Sequence, residues 1–172
     1  NKTFSSSNLR KISRSLKQEQ NKYNIFLCGG DTVYSNKLSF TITSIGFSQK
    51  ILFRNNAKLN DDIYVTGTLG DSFTGLKILK KKINTSNSLN RYFVNKYYLP
   101  NLHLKLSNKL LSFANTSIDI SDGLITDLEK MINKQNLCYV LNRDDVPISR
   151  NLLNFANSSI DLSDGLIDDL SK

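Results

Sequence analysis

Aspartates stand at two places where an apolar segment of the chain runs into glycine. Asp31 follows Leu27-Cys28-Gly29-Gly30, and Asp119 and Asp122 lie within Ile118–Gly123. A carboxylate beside glycine at the end of a strand can reach a ligand that approaches the backbone closely. Mg²⁺ takes one or two such carboxylates and uses nucleotide phosphates for much of its remaining coordination. Asp31, Asp119 and Asp122 are therefore candidates for a magnesium-nucleotide site.

The spacing of Asp119 and Asp122 allows a further contribution from the backbone. The two residues are three apart across a predicted strand-to-helix turn. Ser121 and Asp122 then fall at a helix N-terminus, where free N–H groups and the helix dipole favour phosphate. The same residues also fit a helix cap followed by a turn glycine, and Asp31 also fits an Asx turn after a strand. The residue types leave both interpretations open.

One arginine, one glycine turn and one histidine complete the set of residues with possible chemistry. Arg54 closes an apolar strand, and its planar guanidinium could bind phosphate through two parallel hydrogen bonds; a solvated arginine is the alternative. Gly67–Gly70 could cradle phosphate or simply turn the chain. His103 is the only histidine and has no acid or nucleophile nearby in sequence, so we expect it at the surface.

Apolar periodicity predicts the elements that must position these residues. Helical spacing predicts helices over about 8–22, from Asp71 or Ser72 (as the cap) through Leu79, and over about 101–115 and 123–135. Short or alternating apolar runs predict strands at 25–28, 38–43, 51–53, 63–65, 117–120 and 137–141. Strands and helices are mixed instead of strictly alternating, which predicts an α+β fold.

The chain contains a polar gap and an internal repeat. Residues 84–91 are polar and without periodicity, which predicts a linker. Leu110–Lys130 and Leu152–Lys172 align without gaps, with 16 of 21 positions identical. Two copies are too few for a solenoid, so we interpret 150–172 as a duplicated segment whose Asp161–Gly165 motif is not a working site. We expect deletion of 151–172 to leave folding and nucleotide binding unchanged or slightly improved.

Composition argues against several classes of protein. The chain has 172 residues and a formal charge of +8, but its lysines are dispersed, without the basic stripe of nucleic-acid modules. No apolar run approaches membrane-spanning length and no signal peptide is visible. We therefore expect a cytoplasmic protein with no nucleic-acid or membrane partner, and buried thiols at Cys28 and Cys138. Because the only methionine is Met131, we expect the natural protein to be longer.

Several short motifs follow one another in an order found in a known family. They are Cys28-Gly29-Gly30-Asp31-Thr32, the strand 38–45, Leu52-Phe53-Arg54, Asp61–Asp71, Tyr98-Leu99-Pro100, Ile118–Leu124 and Val146–Ser149. Together they resemble the central portion of bacterial thiamine-monophosphate kinase, over about residues 8–149. Each motif alone has little specificity, and the resemblance rests on their shared order and spacing.

This resemblance implies the α+β fold of the aminoimidazole-ribonucleotide synthetase superfamily, a mixed sheet with packed helices, here incomplete. It also implies transfer of the γ-phosphoryl group of ATP to thiamine monophosphate, giving thiamine diphosphate and ADP, by a protein that is a homodimer at full length. The implied magnesium ligands are Asp31, Asp119 and Asp122, and the implied ATP contacts are Gly30, Asp31, Arg54 and Ser121. No catalytic nucleophile is implied, because phosphoryl transfer is mostly positioning and charge neutralisation.

The resemblance also implies how the chain is divided. Residues 1–83 would be the C-terminal part of an N-terminal ATP-binding domain, and 92–149 would begin a C-terminal domain. The family's first metal-binding aspartates and most of its substrate pocket have no counterpart here, so we expect this chain alone to bind Mg-ATP weakly, without kinase activity. The alternatives are another ATP-binding enzyme of the superfamily, a non-catalytic fragment that folds with a partner chain, and a basic nucleic-acid binder.

Overall fold

The structure, a computed structural model, describes residues 5–158. The chain divides after Phe47 into two compact units, and each is described by itself. No helix among the described residues combines the length and the apolar character needed to cross a membrane. The second acidic motif, Asp161–Gly165, lies outside the described residues.

Over residues 5–47, the first unit consists of one helix and an irregular segment. Helix α1 spans Ser6–Tyr23, which confirms the helix predicted over about 8–22. Ser5 caps the helix, because its Oγ accepts a hydrogen bond from the N–H of Asn8 at 3.4 Å. The helix ends at Asn24, whose φ of 52° is left-handed, a conformation that asparagine tolerates better than most residues.

The second unit is helical. Its helices are α2 (Asp71–Leu79), α3 (Asn87–Tyr98), α4 (Ser107–Phe113), α5 (Leu124–Ile132) and α6 (Arg150–Ser158), with 3₁₀ turns at Leu104–Leu106 and Arg143–Asp145. The predicted helices at 71–79 and 123–135 are confirmed, and the helix predicted over 101–115 is present from Leu104 onward. The predicted cap of α2 is wrong. Gly70 occupies the cap position with a φ of 87°, and Asp71 is the first helical residue.

The core of this unit lies where α2, α3 and α6 meet. Phe93 is fully buried, and Leu152 and Phe155 of α6 pack with it. The rings of Phe93 and Phe155 lie 6.2 Å apart. Helix α2 approaches α3 so closely at Gly75 that a Cβ there would overlap the backbone of Phe93. Each of these apolar side chains contributes about 2–5 kcal/mol relative to alanine when fully buried.

A buried aspartate fastens the start of α2 to the segment before α6. Asp71 is 3% exposed, and its carboxylate accepts hydrogen bonds from the hydroxyls of Ser149 (2.6 Å), Tyr92 (2.9 Å) and Thr68 (3.2 Å). The N–H of Leu69 donates to the carbonyl of Pro147 at 2.8 Å. The turn that enters α2 is thus held by hydroxyl and backbone donors.

The segments predicted as strands do not pair in the described residues. Within 5–158 the only ladder contact is an isolated parallel bridge between Leu69 and Ile148. A strand requires a neighbour for its backbone N–H and C=O groups, and these segments have none along their length. Many of their apolar side chains are accordingly exposed, with Phe26 at 89% and Ile42 at 81%. Cys28 and Cys138 are exposed as well, so the prediction of buried thiols is wrong.

Two expectations about the second half of the chain also need correction. Residues 87–91, expected as part of a linker, form the first turns of α3, because Ser86 caps this helix by accepting from the N–H of Leu89. The division of the chain into domains at this segment stays a prediction. Leu152 and Phe155 belong to the core, so the expectation that 151–172 can be deleted without loss is not supported by their packing.

Candidate functional site

The loop that carries Asp119 and Asp122 leads directly into α5. Gly123 precedes this helix with a φ of 114° and a ψ of 153°, a backbone conformation that is essentially restricted to glycine. Leu124 and Leu128 of α5 are buried. The apolar face of the helix therefore fixes the loop at its N-terminal end, while Asp119 and Asp122 remain exposed.

Asp127, which the sequence reasoning missed, holds the backbone of this loop. It is 1% exposed, and its Oδ2 accepts hydrogen bonds from the N–H groups of Ser121 (2.8 Å) and Asp122 (2.9 Å). Burial opposes ionisation of this carboxyl. Hydrogen bonds from Lys130 and from the two N–H groups outweigh burial, so the pKa of Asp127 lies below its usual range.

Lys130, one turn further along α5, faces both carboxylates. Its Nζ donates to Asp127 Oδ1 at 2.9 Å and to Asp122 Oδ2. These two hydrogen bonds, with Asp122 as the larger influence, raise the pKa of Lys130 above its ordinary value. The sequence shows that Asp127 and Lys130 are three residues apart and so lie on one face of a helix. It gave no indication that both side chains contact the loop of Ser121 and Asp122.

Arg54 contacts Asp119, the other exposed aspartate of this loop. Its guanidinium contacts Asp119 Oδ1 at 3.0 Å, with both side chains more than half exposed. Hydrogen bonds hold the neighbouring backbone in place, since Thr116 Oγ1 donates to the carbonyl of Phe53 at 2.7 Å and Asn56 donates to the carbonyl of Asn115 at 2.9 Å. The structure thus brings Arg54 next to the loop that carries Asp119, Ser121 and Asp122.

An open groove of about 790 Å³ adjoins this region and is lined in part by Ile51, Arg54, His103 and Asp119. His103 is exposed, as predicted. Its position on the groove wall was not expected from the sequence.

The other candidates are held by local contacts. Gly30 and Asp31 lie in the first unit, exposed to solvent, where Asp31 Oδ1 accepts from the N–H of Thr32 at 2.7 Å. In the Gly67–Gly70 turn both glycines have positive φ, and the N–H of Leu69 is bonded to Pro147. The turn is therefore stabilised as a chain reversal, which favours a structural role over phosphate binding.

The donor set has the chemistry that magnesium needs. Asp119 and Asp122 offer hard carboxylate oxygens at an exposed loop, and Mg²⁺ uses one or two such groups with phosphates and water. Among the described residues no three or more acidic, histidine or cysteine side chains form a cluster suited to a metal.

Comparison with known proteins addresses the resemblance directly. No protein-family model matches the chain. It is 41% identical over 143 residues to the thiamine-monophosphate kinase of Buchnera aphidicola from Acyrthosiphon pisum, covering 81% of this chain and 44% of that protein. It is 36% identical to the thiamine-monophosphate kinase of Leptospira interrogans, covering 80% of this chain and 45% of that protein. The predicted resemblance to thiamine-monophosphate kinases is confirmed.

The fold agrees with this resemblance. The crystal structure of thiamine monophosphate kinase from Aquifex aeolicus superposes on 91% of this chain and 53% of that one, with a TM-score of 0.77 and 20% identity. At that identity the likeness concerns the fold alone. The chain spans less than half the length of the curated thiamine-monophosphate kinases it matches.

Proposed function

We propose that this chain forms part of an ATP- and magnesium-dependent kinase that phosphorylates thiamine monophosphate to thiamine diphosphate. The carrying observation is that Arg54 and Asp119, far apart in sequence, meet at 3.0 Å beside the Ser121–Asp122 turn. Relatives that share this stretch are named thiamine-monophosphate kinases.

The Arg54–Asp119 ion pair is compatible with a site in which both side chains change partners when a ligand binds. An exposed ion pair of this kind stabilises a protein by about 0–1 kcal/mol, so both groups can leave it at little cost. Arg54 would then bind phosphate oxygens through its planar fork of N–H donors, and Asp119 would turn to the metal. Since the N–H of Ser121 already donates to Asp127, its hydroxyl is the group it would offer to ATP.

The other candidate residues would likewise contact either the metal or the nucleotide. Asp31, Asp119 and Asp122 would serve as magnesium ligands, and Gly30 and Asp31 would contact ATP. When bound, the metal would neutralise charge on the transferring phosphoryl group. No nucleophile–base pair is needed from the chain, because the attacking oxygen belongs to the phosphate of thiamine monophosphate.

The assembly belongs to the proposal as well. We infer that the extended segments complete the mixed α+β sheet of the aminoimidazole-ribonucleotide synthetase superfamily when the rest of the kinase is present. The proposed kinase is a cytoplasmic homodimer without nucleic-acid or membrane partners. The exposed side chains of Ile42 and Phe47 support the inference that the sheet is incomplete in this chain. They equally favour the second candidate, a non-catalytic chain that folds only with a partner chain.

A chimera tests the proposal. Residues 8–149 would replace the matching stretch of the Buchnera kinase, and thiamine diphosphate formed from thiamine monophosphate and Mg-ATP would be measured by chromatography. We expect turnover within about tenfold of the parent, that is, within about 1.4 kcal/mol of barrier height, since the replaced stretch is 41% identical and keeps the proposed site residues. A folded chimera without turnover would contradict the proposed function and favour the non-catalytic candidate.

The isolated 172-residue chain provides the complementary prediction. We expect weak Mg-ATP binding by calorimetry and no detectable turnover, because much of the relatives' length lies outside it. Effective phosphorylation of thiamine monophosphate by this chain alone would overturn that expectation.

A further inference from the structure

Two further residues, Asp127 and Lys130, contact the loop of Asp119 and Asp122, and the family resemblance gives neither of them a role. Asp127 is a buried carboxylate, yet its Oδ2 is directed at the backbone N–H groups of Ser121 and Asp122. Two N–H donors on one carboxylate oxygen fix the orientation of the intervening peptide. The direction of the Asp122 side chain therefore depends on Asp127.

The second oxygen of Asp127 is joined to the loop through Lys130. The ammonium group donates to Asp127 Oδ1 at 2.9 Å and also contacts Asp122 Oδ2. Lys130 thus places one positive charge against the same carboxylate that would bind Mg²⁺ under the proposed function. The side chain of Lys130 is 40% exposed, so it has room to move away from Asp122.

We propose that Asp127 is a positioning residue that fixes the Ser121–Asp122 backbone, and that Lys130 is an exchangeable counter-ion which occupies Asp122 until a divalent cation replaces it. This inference rests on the proposed function, because it takes Asp122 as a metal ligand. In the metal-free protein Lys130 neutralises Asp122 without disturbing Asp127. When the cation binds, Lys130 keeps its contact to Asp127 and releases Asp122.

A simpler role for the pair has different consequences. Residues three apart on a helix, such as Asp127 and Lys130, can stabilise the helix alone. In that case removal of the Lys130 charge would change the stability of α5 without changing cation binding by the loop. Cation binding is therefore the informative measurement.

The experiment uses the ¹⁵N-labelled 172-residue chain and Mn²⁺ alone as the probe. Paramagnetic broadening of the amide signals of residues 119–123 reports even weak binding and does not require kinase activity. Lys130→Met removes the ammonium and keeps the apolar stem, and Asp127→Asn removes the positioning charge. Glu129→Gln is the matched control, because Glu129 is an exposed carboxylate on the same helix.

We expect Lys130→Met to lower the Mn²⁺ concentration for half-broadening by about three- to tenfold, since a competing charge at contact distance is removed. Asp127→Asn should raise that concentration and shift the amide signals of Ser121 and Asp122 upfield, while Glu129→Gln leaves both nearly unchanged. If Asp127→Asn does not fold, Asp127→Glu, which displaces the carboxylate by one methylene, replaces it.

The proposal is overturned if the Mn²⁺ concentration for half-broadening is the same for Lys130→Met as for Glu129→Gln. It is also overturned if the amide signals of Ser121 and Asp122 do not shift on substitution of Asp127, or if no variant shows broadening at 119–123. An inactive chimera combined with the expected Mn²⁺ results would reject the proposed kinase function and leave this cation exchange intact.

Discussion

Two turns of this molecule place a glycine beside an aspartate at the start of a helix, and the two aspartates differ in burial and in partners. At the entry to α2, Asp71 is buried and its carboxylate is bonded to the hydroxyls of Thr68, Tyr92 and Ser149. At the entry to α5, Asp122 is exposed and its contact is the ammonium of Lys130. Both turns rely on a glycine with positive φ.

The difference shows what separates a structural aspartate from a ligand-binding one when the local sequence is similar. Neutral hydroxyls inside a core occupy a carboxylate permanently, because freeing them would leave buried donors without partners. An exposed carboxylate beside a mobile cation can exchange that cation for another. We therefore assign Asp71 to stability, while cation binding by Asp122 stays part of the proposed function, and the following predictions test that comparison.

Deletion of 151–172 should have the largest effect on the α2 side. It removes Leu152 and Phe155 from the core, and each such loss costs about 2–5 kcal/mol. We expect the chain to lose cooperative urea unfolding, followed by circular dichroism. Deletion of only 159–172 is the control, since it spares both residues, and it should keep the transition. Equal stability of the two shortened chains would mean that α6 does not support the Asp71 turn.

Asp71→Ala should destabilise the chain by about 3 kcal/mol, because the hydroxyls of Ser149 and Tyr92 lose their acceptor at about 1–3 kcal/mol each. Urea denaturation measures the change. Asp62→Ala removes an exposed carboxylate from the same unit and should shift the midpoint little. If the two variants behaved alike, Asp71 would not be the structural member of the comparison.

The sequence predicted the two turns but could not distinguish them. Helices α2 and α5 were predicted from apolar spacing, and the aspartates from their place beside glycine. The hydroxyl partners of Asp71 lie up to 78 positions away, so only tertiary packing could assign it to the core. The role of Asp127 could not be predicted from the sequence, where it is one polar residue on a helix. Its backbone partners, Ser121 and Asp122, reach it only because of the turn at Gly123.

The predicted strands are unpaired in the described residues for a related reason. An apolar run such as 38–43 specifies a tendency to pair, but the pairing depends on a neighbour, and the described residues provide none for it. The relatives are more than twice as long as the stretch they share with this chain. Local patterns were sufficient for helices, which satisfy their own backbone, and insufficient for a sheet.

Arg54→Lys in the 8–149 chimera should have the smallest effect in this series. Lysine keeps the charge but loses the planar, two-point contact with phosphate. We expect the KM for ATP to rise about three- to tenfold with a smaller change in kcat, measured by steady-state kinetics. Arg143→Lys, on the 3₁₀ turn Arg143–Asp145, is the matched control. An unchanged KM would remove Arg54 from the phosphate site.

The most direct test of the α5 turn is the kcat of the 8–149 chimera carrying Asp122→Asn, measured beside its urea midpoint. Metal stabilisation of a transferring phosphoryl group is worth several kcal/mol, and each ~1.4 kcal/mol is tenfold in rate. We predict that kcat falls by at least about 100-fold while the midpoint stays close to that of the unaltered chimera. A kcat near that of the unaltered chimera, or a midpoint that falls as far as with Asp71→Ala, would contradict the assignment of Asp122 to magnesium.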